Sequence, residues 1–127
     1  MSVVVDASLV LAWLQEEPGA DEAEPLLMEG IIGAANWSEI LQKTRQHGAP
    51  AGLVARLLAS FGLRVVDVTA EDAERAADLW RIGTALSLAD RLCLALGLRL
   101  GLAVATADSA SADVADVADG PQVMLVR

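Results

Sequence analysis

The sequence predicts an α/β fold: a three-layer α/β/α sandwich around a mainly parallel central sheet of four to five strands. Three observations carry this. Short apolar, β-branched runs such as Val3–Val5, Leu63–Val68 and Leu102–Thr106 have the character of strands buried on both faces. Stretches with helical periodicity and their own start and stop residues alternate with them, which favours parallel strands joined by crossover helices. The composition, 54% hydrophobic with three Trp, one Phe and no Tyr, calls for a compact aliphatic core. At 127 residues, 1-127 reads as a single domain large enough to bury one.

Taken in order, Val3–Val5 is the first strand and ends at Asp6. Ser8 to Gln15 reads as a helix stopped by Pro18-Gly19, and Asp21 to Met28 as a second, more acidic one. Gly30 to Ala34 is a weak strand. Asn36 has the character of an N-cap for a helix running through Trp37, Ile40 and Leu41 toward Gln46 and stopping near Gly48 and Pro50. Leu53 to Phe61 is an amphipathic helix, and Leu63 to Val68 the next strand. Thr69 with Asp72 forms a capping-box pattern for a helix over Ala70 to Ile82, ended by Gly83. Ser87 with Asp90 repeats it for Leu88 to Leu100, with Gly101 past the end. Leu102 to Thr106 is a strand, Ser109 to Gly120 an acidic loop, and Val123 to Val126 a last strand. No repeat, linker or glycine-rich phosphate loop interrupts this pattern.

Nine basic against 18 acidic residues give a net charge of −9, with a pI near 4.3. Phosphate-backbone affinity normally rests on Lys and Arg, so charge alone favours a basic protein partner over nucleic acid. A bound divalent cation reverses the local sign of an acidic pocket and restores the second option. The single Cys93 excludes an internal disulfide. Met1 to Leu14 lacks a basic leading segment and contains Asp6, unlike a signal peptide, and Leu92 to Ala107 is too short for a bilayer and carries Arg99. A soluble, cytoplasmic protein is expected.

Asp6 and Asp108 follow strands, and Glu39 and Asp90 fall in what reads as the first turn of a helix. Such positions gather at the carboxyl edge of a parallel sheet, where α/β folds bind ligands. Each acid alone has a plainer reading: Asp6 as an N-cap, Glu39 and Asp90 as capping-box acids three residues after Asn36 and Ser87, Asp108 as a loop acid. Together they are hard to justify without a cation, since two carboxylates about 4 Å apart repel by roughly 4 kcal/mol at an effective dielectric near 20. Oxygen donors suit Mg²⁺ or Mn²⁺, and Ser8 and Thr106 are placed to hydrogen-bond the carboxylates behind the metal. Phosphoryl-ester hydrolysis is the typical chemistry of such a site. His47 reads as a solvated helix-end residue and Cys93 as core.

Val4-Val5-Asp6-Ala7-Ser8, Asn36-Trp37-Ser38-Glu39-Ile40-Leu41, Leu86-Ser87-Leu88-Ala89-Asp90-Arg91-Leu92-Cys93-Leu94-Ala95-Leu96 and Thr106-Ala107-Asp108 resemble, in order and spacing, the four acidic motifs of PIN-domain proteins, and most closely the VapC toxins of VapBC-type toxin–antitoxin pairs. The resemblance implies a PIN-like sandwich and a Mg²⁺- or Mn²⁺-dependent endoribonuclease that cuts structured RNA such as tRNA or rRNA. It implies a homodimer, inhibited by a cognate VapB-type antitoxin. It makes Asp6, Glu39, Asp90 and Asp108 the metal-binding and catalytic acids. Ser109, Ala110 and Ser111 stand where the family commonly has a basic residue and an aromatic, which leaves Asp113 or Asp116 to share the role of Asp108.

Lys43, Arg45, Arg81, Arg91 and Arg99 are the candidates for RNA phosphate contacts, against the plainer reading of solvated helix charges. Trp13, Leu14, Trp37, Ile40 and Leu41 are mostly core on this reading, with an exposed subset available as a groove for an amphipathic antitoxin helix. A phosphoryl-accepting receiver domain is a weak rival, because one acid, not two adjacent ones, follows the first strand and Lys43 is the only lysine. The stronger alternative is a catalytically weak PIN-fold binding module whose acidic pocket captures a basic partner protein.

Overall fold

A computed structural model describes residues 2–82, 85–117 and 120–126, apart from the side chains of 114–117. The elements are β1 (Val4–Val5), α1 (Ala7–Leu14), α2 (Ala20–Leu27), β2 (Ile31–Gly33), α3 (Ala34–Gln46), α4 (Ala51–Ser60), β3 (Arg64–Val66), α5 (Ala70–Asp78), α6 (Leu88–Leu100), β4 (Val104–Thr106), α7 (Ser109–Val117) and β5 (Val123–Leu125). The strands form one sheet in the order β3-β2-β1-β4-β5, and every pairing is parallel. The expected α/β/α architecture is therefore present, with five strands.

Alternation along the strands divides the core between the two faces. Val3, Val5, Ile32 and Ala105 join Leu9, Val10, Leu27, Ile40 and Leu58 on one side. Val4, Ile31 and Val104 join Leu79, Leu86, Cys93, Leu94 and Leu96 on the other. Close approach of α6 to the sheet depends on Gly97, where an added Cβ would stand 2.6 Å from a Val104 methyl. The helix then stops at Gly101, whose φ of +66° only glycine adopts without strain.

Both capping boxes form as read: Thr69 with Asp72 opens α5, and Ser87 with Asp90 opens α6. Three expectations need correction. Asn36 is not an N-cap: β2 runs straight into α3, with extended Gly33 serving as cap, so Asn36 lies in the first turn and Glu39 in the second. The acidic loop at Ser109 is instead α7, begun where Asp108 Oδ1 accepts from Ala110 N at 3.0 Å. Its Ala- and Ser-rich sequence lacks the apolar stripe that announces a helix. Helix α5 ends at Asp78, not Ile82; Leu79 is buried, whereas Trp80 and Ile82 are exposed, so the apolar run there does not mark a helix face. Gly83 lies outside the described residues. No helix among the described residues is long and apolar enough to cross a membrane.

Candidate active site

Strand order reverses between β1 and β4, the place where an open parallel sheet leaves a crevice at its carboxyl edge. The register pairs Val5 with Ala105, and Asp6 N donates to Ala105 O at 3.1 Å. The residues just beyond, Asp6 and Thr106, are thereby set side by side. Thr106 Oγ1 donates to Asp6 Oδ2 at 2.5 Å, and Ser8 Oγ donates to Asp6 Oδ1 at 2.5 Å. Oδ1 also accepts from Leu9 N at 3.2 Å, the N-cap bond of α1. Three of the roughly four acceptor positions of this carboxylate are thus filled, leaving one on Oδ2.

The same hydroxyls reach Asp108. Its backbone N–H donates to Thr106 Oγ1 at 2.9 Å, while Ala107 N donates to Ser8 Oγ at 3.0 Å. Asp108 therefore precedes α7 in a fixed position, half-buried. Asp90 belongs to the third residue of α6, with Oδ2 accepting from Ser87 N at 3.1 Å and Oδ1 outside the capping box. Glu39 enters from α3. Its Oε2 meets Lys43 Nζ at 3.2 Å, and its Oε1 is buried without a partner.

Asp90 is the electrostatic link among the four acids. Burial pushes the Asp6 carboxyl above its ordinary range; the Ser8, Thr106 and Leu9 bonds oppose this, and the Asp90 charge adds to it. Burial likewise raises Asp90, the Ser87 bonds oppose it, and Asp108 and Glu39 push it further up. Cys93, its Sγ 3.9 Å from Val5 O, is raised well above a normal thiol by burial first and then by Asp6, Asp90 and Glu39. Among the described residues, however, no three carboxylate, imidazole or thiol groups stand close enough to hold one ion between them in this arrangement.

Asp113 is exposed, and the side chain of Asp116 lies outside the described residues. Of the candidate phosphate contacts, Arg99 forks onto Asp72 at 2.8 and 3.1 Å, Arg91 Nη1 donates to Ala76 O at 2.8 Å, and Arg81 Nη1 donates to the Asp78 and Trp80 carbonyls. Arg45 is exposed on the last turn of α3. Ile40 is fully buried and is no part of a surface groove; Trp13 packs edge-on against Phe61, centroids 5.2 Å apart.

Asn36 takes a role other than the N-cap read from the sequence. Asn36, 1% exposed, donates from Nδ2 to Ala89 O at 3.2 Å and so ties α3 to the residue before Asp90. Its signal was the three-residue spacing to Glu39, which puts both on one helix face.

The PIN domain family model matches residues 3–117. No curated protein matches the chain by sequence. Among solved structures, the fold is similar to VapC20 of Mycobacterium tuberculosis, a sarcin-ricin loop cleaving toxin, with a TM-score of 0.71, 19% identity, and 87% of this chain and 93% of that one covered. It is similar to the DNA-bound VapBC of Salmonella typhimurium, with a TM-score of 0.70, 18% identity, and 98% and 97% covered. A toxin–antitoxin complex from Klebsiella pneumoniae gives a TM-score of 0.67, 19% identity, and 84% and 87% covered. At these identities the likeness is one of fold.

Proposed function

The chain belongs to the PIN-domain family, and on that premise we propose that it is a divalent-metal-dependent endoribonuclease, the VapC-type toxin of a type II toxin–antitoxin pair. On this reading it cuts structured RNA, tRNA or rRNA, to inhibit translation, works in the cytoplasm as a homodimer, and is neutralised by a cognate VapB-type antitoxin. The carrying observation is the hydrogen-bonded chain from Asp6 through Thr106 to Asp108 beside the β1–β4 switch point, with Asp90 within electrostatic range of Asp6, Glu39 and Asp108.

The residues fit a hard cation. All donors are oxygens, Glu39 Oε1 is buried and unpartnered, and Asp6 Oδ2 retains an acceptor position. Asp6, Glu39, Asp90 and Asp108 would hold Mg²⁺ or Mn²⁺, which when bound supplies Lewis acidity and a more acidic water for phosphodiester hydrolysis. The protein's part is orientation. Ser8 and Thr106 fix the Asp6 carboxylate from both sides, and Ser87 holds one oxygen of Asp90.

An antitoxin suits the same end of the molecule. A mostly apolar groove of about 270 Å³, where Leu11, Leu14, Ala49 and Val54 stand beside Lys43 and His47, suits one face of an amphipathic helix. A basic tail on such a partner is drawn to a chain of charge −9.

One observation favours the alternative of a binding module: among the described residues the carboxylates are not gathered into a ready-made ligand set. Incubation of the purified chain with tRNA and rRNA in Mn²⁺ decides between them. Cleavage that Asp6→Asn abolishes supports the nuclease; intact RNA alongside tight capture of a basic partner supports the module.

A further inference from the structure

Next to the carboxylates a polar cleft of about 510 Å³ opens between α1 and the last turn of α3. One wall carries Ser8 and Ala107, the residues that connect Asp6 to the Asp108 loop. Lys43, His47, Gln15 and Gln46 supply polar side chains around it, and it shares Leu11, Gln15, Lys43 and His47 with the adjoining apolar groove. Its size is that of ordinary small-ligand sites. We propose that this cleft seats the nucleotide next to the phosphodiester to be cut, with Lys43 meeting its phosphate and His47 accepting a hydrogen bond from its ribose 2′-hydroxyl. This rests on the ribonuclease reading above.

Position narrows the choice to Lys43, since Arg45, Arg81, Arg91 and Arg99 are not among the residues that line the cleft. Arg99 is forked onto Asp72, while Arg91 and Arg81 are bonded to helix carbonyls. Lys43 lines the cleft, is 43% exposed, and uses one of its three ammonium protons on Glu39 Oε2. It can keep that contact while donating to a phosphate oxygen. Glu17 is the one carboxylate of the lining; it also borders a neighbouring hollow with Ala12, Pro18 and Val126, which places it at the rim between the two.

The chemistry of His47 follows from its neighbour. Nδ1 lies 2.8 Å from the Lys43 carbonyl oxygen, which can only accept, so Nδ1 carries the proton. In the neutral ring the lone pair is then on Nε2. An acceptor set beside a phosphate contact matches the ribose hydroxyl, the group by which proteins tell RNA from DNA.

Binding is measured in the Asp6→Asn background, which stops cleavage, using a fluorescent RNA hairpin and the DNA hairpin of the same sequence. RNA should bind more tightly than DNA. His47→Phe should remove about fivefold of RNA affinity, the worth of one hydrogen bond, and leave DNA affinity in place. His47→Gln, which keeps an acceptor, should restore part of the preference. Lys43→Met should weaken RNA and DNA alike and reduce the salt slope of binding by about one.

Melting curves and Mn²⁺ affinity, both taken with Asp6 intact, should be unchanged by His47→Phe, which separates a ribose contact from damage to the fold or acidic site. Variants that bind both hairpins as the parent does overturn this inference alone, and so do variants that lose only a basic partner protein. If the protein with Asp6 intact neither binds Mn²⁺ nor cuts RNA, the nuclease reading falls and takes this one with it.

Discussion

Thr106 Oγ1 donates a 2.5 Å hydrogen bond to Asp6 Oδ2 across a sequence separation of 100 residues. The parallel pairing of β1 with β4 creates this contact, and the same hydroxyl accepts from the backbone of Asp108. One side chain therefore sets the positions of two of the four acids. Thr106→Val keeps the β-branched shape and removes only the hydroxyl. We expect it to cost about 1–2 kcal/mol of stability, because a 98%-buried carboxylate loses one donor, and to weaken Mn²⁺ affinity well beyond that of Thr69→Val, a control remote from the acids. Thermal melts and Mn²⁺ titration of both variants check it.

Acid should stabilise the metal-free site locally. Burial and neighbouring charge raise the folded-state pKa of Asp6 and Asp90 above the unfolded value near 3.9. Between those values the folded chain binds more protons than the unfolded one, so stability rises as pH falls through the raised pKa and falls again toward neutrality. Asp90→Asn removes this contribution. The variant should gain most over the parent at neutral pH, and the gain should shrink as pH approaches 4. Melts in chelator between pH 4 and 8 measure the difference; a pH-independent difference counts against a coupled site.

Asp72 carries the opposite sign. Burial tends to raise its pKa, but the bonds from Arg99 and Thr69 overcome that and hold it below the ordinary value. Its contribution is present above the unfolded pKa near 3.9 and is lost as pH falls through the lowered value. Asp72→Ala removes the capping box of α5 and leaves Arg99 without its fork. The expected cost is about 2–4 kcal/mol in chemical denaturation at neutral pH, with Mn²⁺ affinity unchanged.

How much of this was legible in the sequence varies by residue. Helix α6 was readable end to end, because Ser87, Asp90 and Gly101 act locally as caps. Asp6 and Thr106 were readable as strand ends, since buried parallel strands are apolar runs with sharp limits. Where β2 meets α3 nothing local marked the boundary: Gly33 ends the strand and caps the helix at once, so Asn36 looked like a cap and Glu39 moved one turn. His47 was readable as the solvated end of α3, which it is; what the chain did not show is the cleft it borders, which exists only after α1 and α3 pack. Local chemistry was visible in the chain; placements made by tertiary contact were not.

Glu39 offers the sharpest separation between a structural and a metal-binding role. As half of an i,i+4 pair with Lys43, with side chains 27% and 43% exposed, it is worth only about 0.3–0.5 kcal/mol. As a ligand it has a buried, unpartnered Oε1 and a charge that raises Asp90. The two roles give opposite results for Glu39→Gln. If only the salt bridge matters, the metal-free protein melts slightly lower and a Mn²⁺-induced rise in Tm is intact. If Glu39 holds the ion, relief of its repulsion with Asp90 offsets the lost pair, so the metal-free melting point is kept or raised. The Mn²⁺-induced stabilisation, about 2.7 kcal/mol for the parent at a hundredfold excess over Kd, then largely disappears. Paired melts with chelator and with Mn²⁺ distinguish these outcomes in a single experiment.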